Sequence, residues 1–460
     1  MGRRTMMVIG LDCAAPRLAF ERYRDSMPNL SALMANGTWG HLRSSEPPIT
    51  VPAWTCMVSG RDPGELGLYG FRNRVAGETG LRLADGTDVR VKRVWDWLGE
   101  HGYRVAPLFV PLTSPPTPVR GQMVSGLMWP GGDAPWCYPR VLESELIGRF
   151  GPYLPDVESF RGGDLDRIYR DVVAMTEQHF AIAEHVWRSK DPDFMMVVEI
   201  GLDRFHHAFW RHIDREDPRH EPANRWKDLG REYYQRLDHH IGRLRSLADA
   251  NATVLIVSDH GAHAMRGGFC INEWLIQQGY LVLREAPTAS SPLDPTRVDW
   301  SRTIAWAEGG YYARVFLNVR GRERNGAVPP ERFGAIRDRL RCALEDARND
   351  EGHLVPASVR IPQEHYRAAK GFPPDLMVYF DELKLRAIGS VGGGQIVIRE
   401  NDTGLDGCNH DWNGIFVMSG GATIARGYVE GAEIYDIAPT ILGAFGIPRP
   451  PGILGKDWTR

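Results

Sequence analysis

Three apolar runs that each lead into an acidic residue constrain this chain more than any other feature. They are Met6-Met7-Val8-Ile9-Gly10-Leu11 before Asp12, Phe194-Met195-Met196-Val197-Val198 leading through Glu199 to Asp203, and Thr253-Val254-Leu255-Ile256-Val257-Ser258 before Asp259 and His260. Continuous β-branched and apolar segments of this length, bounded by turn residues, predict strands buried on both faces of a parallel sheet. Parallel strands need crossover connections. The segment from Asp164 to Lys190 carries Ile168, Val172, Met175, Ile182 and Val186 on one stripe, as an amphipathic crossover helix would. The expected fold class is therefore α/β. Ligands of open α/β sheets bind beyond the carboxyl ends of the strands, so Asp12, Asp203, Asp259 and His260 are expected to converge although they lie far apart in the chain.

With 460 residues the chain can bury a large core. Its 55 Lys and Arg against 58 Asp and Glu leave a net charge of -3, so no overall basic field argues for a nucleic-acid polymer as partner. No apolar stretch is long enough for a membrane span, and Met1 to Thr5 lead straight into the first strand without the features of a secretory leader. Six cysteines, Cys13, Cys56, Cys137, Cys270, Cys342 and Cys408, are scattered singly, which fits a reducing cytoplasm better than a disulfide framework.

The order of segments suggests a core interrupted once. Residues 1–271 read as the first part of the α/β core and 272–397 as an inserted α+β cap. The insertion holds a strand-like Tyr311 to Leu317, a helix-like Pro330 to Asp346 and a strand-like Leu376 to Phe380 that could rejoin the main sheet. Residues 398–460 return to the core. There Ile434, Ile437, Ala438, Ile441, Leu442 and Phe445 have helical spacing, and Gly446-Ile447-Pro448 ends the run.

The residues at the strand ends have the chemistry of a metal site. Asp12 can bind a hard cation, or serve as a turn or helix-capping aspartate. Asp203 and His207 stand four apart, so both point one way if the strand runs into a helical turn; His206 is the alternative, which that geometry sends toward packing or solvent. Asp259 and His260 are followed by Gly261, which permits a close backbone turn. His410 can return one more donor from the far end of the chain. Oxygen and nitrogen donors without thiolate suit zinc, manganese or iron. A metal pair about 4 Å apart suits in-line phosphoryl transfer, whose nucleophile should sit near a helix N-terminus. Thr50 fits, two residues before Pro52, at what reads as a solvent-facing helix start. Thr55 is the rival; a turn inside that helix its hydroxyl would bond a carbonyl behind it.

Taken in order, these residues resemble the alkaline phosphatase superfamily, in the type I phosphodiesterase/nucleotide pyrophosphatase branch. The resemblance rests on the first Asp12, Ile49-Thr50-Val51-Pro52, the Asp203 to His207 spacing, Asp259-His260-Gly261 and the late His410, and it runs from residue 6 to about 447. It implies a central, mostly parallel sheet flanked by helices with a cap insertion, and two divalent metal ions, zinc first and manganese or iron as alternatives. One ion is implied to use Asp12, Thr50, Asp259 and His260, the other Asp203, His207 and His410. Relatives of this branch carry an Asn after the nucleophile helix that holds a phosphoryl oxygen; Asn73 is the candidate, at an unfamiliar spacing. Arg72 and Arg74 beside it could do similar work or be ordinary surface residues. A sulfatase is disfavoured because Thr50-Val51-Pro52-Ala53-Trp54 has Thr first and Trp last, and a mutase because its relatives use Ser.

The expectation is thus a metal-dependent hydrolase of phosphodiester or pyrophosphate bonds in a small-molecule phosphoester, acting through Thr50 and a phospho-threonine intermediate. The alternatives are a phosphomonoesterase or phosphomutase of the same superfamily, and a non-catalytic or transferase-like protein that holds a phosphoester. The insertion should decide which substrate fits. Other features read as structural: His179 on an apolar stripe, His212 and the His239-His240 pair facing solvent, Gly392-Gly393-Gly394 as a loop, and Trp54, Trp129, Trp136 and Trp210 mostly as core.

Overall fold

The computed structural model describes residues 4–75, 80–400, 404, 406–421, 423 and 426–460. The chain divides into two compact units. The first comprises Met1–Leu66, Ala84–Ala262 and His410–Arg460; the second comprises Gly67–Leu83 and His263–Asn409.

Among the described residues the first unit is built on a nine-stranded sheet. Its strands run in the order Gly427–Glu433, Gly37–Arg43, Asn413–Ser419, Thr253–Val257, Met6–Leu11, Phe194–Glu199, Val105–Val110, Met123–Ser125 and Cys137–Tyr138. Met6–Leu11 lies between the other two apolar runs and pairs in parallel with both, Ile9 opposite Val197 on one side and Ile256 on the other. Every residue of these three strands is buried, as their unbroken apolar pattern requires. Asn413–Ser419 is antiparallel to both its neighbours, which makes the sheet mixed but mostly parallel.

Alternation divides the core into two layers. Met6, Val8, Met196, Val198, Leu255 and Val257 face a cluster that includes Trp54 and Met57 of helix Thr50–Ser59, Trp95 and Leu98 of Val94–Glu100, and Ile437, Ile441 and Leu442 of Ile437–Ala444. The long helix Leu165–Lys190 packs on Phe194–Glu199 and Val105–Val110 and against Gly201–Ile213 and Leu229–Leu247. No helix among the described residues is long and apolar enough to cross a membrane.

The second unit has its own sheet and core, with Trp306, Phe316, Leu340, Val378 and Phe380 among the buried side chains. Leu376–Phe380 stays in this sheet. Both its edges are taken, by Ala313–Leu317 on one side and Ala357–Arg360 on the other, so it offers no free edge to the core sheet.

Candidate metal centre

The first candidate residue is placed by the turn that follows Met6–Leu11. Asp12 is fully buried, its N–H bonded to the Glu199 carbonyl of the adjacent strand at 3.0 Å. Cys13 takes a φ of 66° and turns the chain so that its own N–H meets Asp259 Oδ1 at 3.2 Å, while the Ala14 N–H meets Ser258 Oγ at 2.8 Å. Two strand ends are thereby tied together.

Helix Thr50–Ser59 begins after an extended Ile49, has Pro52 in its first turn and ends at Gly60 with φ 63°. It lies close on the sheet because Gly10 has no side chain; a Cβ there would sit 2.4 Å from Trp54 Cη2. Trp54 Nε1 then donates to Asp12 Oδ2 at 2.7 Å. The helix start is not solvent-facing. Thr50 is 2 % exposed, and its Oγ1 lies 3.4 Å from His260 Nε2. Thr55 Oγ1 instead donates back to the Val51 carbonyl at 2.7 Å.

Strand Phe194–Glu199 ends earlier than the apolar run does. Helix Gly201–Ile213 takes over, so Asp203 sits in its first turn and His207 one turn on, His207 Nε2 being 3.3 Å from Asp203 Oδ1. His206 points elsewhere, its Nδ1 donating to the Cys13 carbonyl at 3.1 Å and its Nε2 facing Tyr234 Oη at 3.2 Å. Burial pushes the His206 imidazole down to about 3, as for a neutral packing residue.

His260 and His410 present the same nitrogen. His260 Nδ1 donates to the Gly261 carbonyl at 3.0 Å and His410 Nδ1 to the Pro48 carbonyl at 2.7 Å; a carbonyl only accepts, so in each ring Nε2 carries the lone pair. The two rings stack with centroids 3.6 Å apart. His260 Nε2 lies 3.2 Å from Asp259 Oδ2 and 3.6 Å from Asp12 Oδ1, and His410 Nε2 lies 3.7 Å from Asp203 Oδ1. Burial pushes His260 down to about 4 and holds His410 well below its usual value.

The carboxylates share one pattern. Each has one oxygen held by the protein: Asp12 Oδ2 by Trp54, Asp259 Oδ1 by the Cys13 N–H, and Asp203 Oδ2 by Arg204 Nη1 at 2.6 Å. The other oxygens, Asp12 Oδ1, Asp259 Oδ2 and Asp203 Oδ1, are buried with no hydrogen-bond donor. Burial raises Asp12 and Asp259 well above the carboxylate range, and the neighbouring carboxylates raise them further. At Asp203 burial acts in the same direction, but His207, Arg204 and His410 outweigh it and the carboxyl is held well below. Among the described residues of the first unit two groups gather ligand atoms within 4.8 Å of one another: Asp203, His207 and His410, and Asp12, Asp203 and His260. Spacings of 3.2 to 3.7 Å match the edge of a ligand tetrahedron, about 3.4 Å for ligands at about 2.1 Å from a zinc ion.

Asn73 lies in the second unit, in the strand Arg72–Arg74. Its Oδ1 accepts the Tyr69 N–H at 2.7 Å and its Nδ2 donates to the Gly70 carbonyl at 3.1 Å, so the amide closes its own turn. Arg74 is no surface residue but a buried partner of Glu323 at 2.6 Å. His240 is also buried, stacked on Phe180 at 4.4 Å; it continues the inward stripe of Tyr233, Leu237, Ile241 and Leu244, a spacing that marks it in the sequence. His212 is half-buried against Trp226. Sequence reasoning missed Trp54, Arg204 and Ser258 as supports of the centre. Trp54 lies one helical turn after Thr50 and Arg204 directly follows Asp203, and only those offsets hinted at them.

The family model described as "Type I phosphodiesterase / nucleotide pyrophosphatase" matches residues 6–404. Among solved structures the chain is similar to murine ectonucleotide pyrophosphatase / phosphodiesterase 5, an inactive threonine-to-alanine form in complex with AMP. That likeness has a TM-score of 0.52 at 13% identity and covers 97% of this chain and 96% of that one. No curated protein matches the sequence.

Proposed function

The chain belongs to the type I phosphodiesterase / nucleotide pyrophosphatase family, and on that premise we propose that it is a two-metal hydrolase of phosphodiester or pyrophosphate bonds with Thr50 as its nucleophile. One observation carries the reading: three buried carboxylates each keep one oxygen oriented by a protein donor and turn the other into a shared space lined by imidazole nitrogens. Like charges in that space need a cation, and carboxylates oriented through their outer oxygen are typical of metal ligands.

Asp12, Thr50, Asp259 and His260 would hold one ion and Asp203, His207 and His410 the other. Zinc is the first choice and manganese or iron the alternatives. When bound, the pair supplies positive charge for the phosphoryl oxygens and acidifies a hydroxyl. The remaining work belongs to the chain. Thr50 stands at the start of a ten-residue helix, whose N–H groups favour a phosphoryl oxygen there. Its Oγ1 attacks phosphorus, one ester oxygen departs as the alcohol with the proton, and a water molecule then cleaves the phospho-threonine and restores the hydroxyl. Trp54, Arg204 and the Cys13 N–H keep the three carboxylates aimed inward throughout. The murine relative's AMP complex, and its inactivity with a threonine replaced by alanine, support a nucleotide-like substrate and a threonine nucleophile here.

The test compares turnover of bis-p-nitrophenyl phosphate, p-nitrophenyl thymidine monophosphate and p-nitrophenyl phosphate after zinc or manganese reconstitution. Faster turnover of the diesters supports the proposal. A monoester turned over much faster than either diester under the same conditions would move the protein to the phosphomonoesterase reading.

A further inference from the structure

Arg204 is buried and uses all three guanidinium nitrogens on two carboxylates. Its Nε and Nη2 form a fork on Asp156, at 2.6 Å to Oδ1 and 2.9 Å to Oδ2, while Nη1 holds Asp203 Oδ2 at 2.6 Å. The same guanidinium lies over the ring of Phe160, 4.3 Å from its centroid, and that ring sits 5.9 Å from the imidazole of His207. One side chain thus joins a candidate metal ligand to the segment Tyr153–Arg161.

That segment is anchored at its start. Gln178 binds the Phe150 and Pro152 carbonyls and the Leu154 N–H, and His179 Nε2 donates to the Leu154 carbonyl at 2.8 Å. Farther along, the Arg204 fork on Asp156 is joined by Arg167, whose Nη2 donates to the Glu158 and Ser159 carbonyls at 3.1 and 3.2 Å. A cavity of about 890 Å³ opens between the segment and Arg167, Asp171, Ala174 and Met175, and none of the seven candidate metal ligands lines it. Phe160 itself lines this cavity, so the segment has open space beside it once the fork is lost.

We propose that Arg204 is a positioning residue that latches the segment Tyr153–Arg161 so that Phe160 walls the substrate position beside His207. This rests on the hydrolase reading above. Arg is required because a lysine ammonium keeps the charge beside Asp203 but cannot grip Asp156 with a planar fork.

The experiment uses the full chain loaded with zinc, in wild type and as Asp156→Asn, Arg204→Lys and Phe160→Ala. Hydrogen exchange of peptides covering residues 153–161 reads the latch, and KM and kcat on bis-p-nitrophenyl phosphate read the wall. In Asp156→Asn and Arg204→Lys the segment should exchange at least about fivefold faster and KM should rise about fivefold or more, and in Asp156→Asn, which leaves the Arg204 contact to Asp203 in place, kcat should change less than about twofold. Phe160→Ala should raise KM alike with less effect on exchange. The Asp156 side chain is 34% exposed, so its variant carries the test if Arg204→Lys does not fold. Unchanged exchange in both latch variants overturns the latch. Faster exchange with an unmoved KM overturns the wall. A zinc-loaded wild type that turns over no phosphoester fails the hydrolase reading instead, and the exchange comparison still decides the latch.

Discussion

Two threonines five residues apart differ in what their hydroxyls can do. Thr50 Oγ1 faces His260, whereas Thr55 Oγ1 is committed to the Val51 carbonyl. Thr50→Ala should lower kcat by about a thousandfold or more with an unchanged urea midpoint, and Thr55→Ala should lose about 1 kcal/mol of stability and keep its rate. The reverse result from steady-state kinetics and urea titration would assign the nucleophile to Thr55. Trp54 is a more demanding case, because its ring packs in the core while its Nε1 orients Asp12. Trp54→Phe keeps most of the packing and removes the donor, so metal affinity measured by chelator competition should fall about 10- to 100-fold. The places of the two threonines, one at the helix start and one a turn inside, were legible in the sequence from Pro52. The tryptophan's role was not, because a side chain's partner across 42 residues depends on how helix and strand pack.

At the scale of elements, the centre exists because helix Thr50–Ser59 lies tightly on Met6–Leu11. Gly10 sets that distance. Gly10→Ala would drive a methyl into Trp54 and should cost about 1 to 3 kcal/mol, measured by urea unfolding, together with metal affinity. An alanine variant with wild-type stability and zinc binding would show that the helix tolerates displacement. Helix Gly201–Ile213 illustrates a boundary the apolar run conceals. Phe194 through Leu202 has strand-like hydrophobicity, yet the chain turns helical at Gly201, where Glu199 Oε1 accepts the Gly201 N–H at 2.7 Å. The i, i+4 relation of Asp203 and His207 follows from that turn.

For the whole molecule, the first prediction concerns metal content: chelation followed by metal analysis should find about two transition-metal ions per chain, and full activity in chelator would refute the mechanism. The second concerns pH. Asp12 and Asp259 are raised in the fold, so without metal they favour the folded state when protonated, a stabilisation present at low pH and lost as pH rises through their raised values. Asp203, lowered by its cationic and imidazole neighbours, contributes in the opposite sense and loses its stabilisation as pH falls through its lowered value. On the proposed ligand set zinc would replace the protons on Asp12 and Asp259, so the rise in Tm on adding zinc should be larger at pH 8 than at pH 5; equal increments at both would contradict the assignment. Strand pattern, crossover helix and the order of Asp, Thr, Asp, His, Asp, His and His were determined by the sequence alone, because burial on both faces leaves a periodicity and strand ends must meet at one edge. The tertiary structure decided which oxygen of each carboxylate is held, that Thr50 is enclosed, that Asn73 closes its own turn and that Leu376–Phe380 keeps to the second sheet. Each depends on contacts between segments distant in sequence, and such contacts leave no period in the chain that makes them.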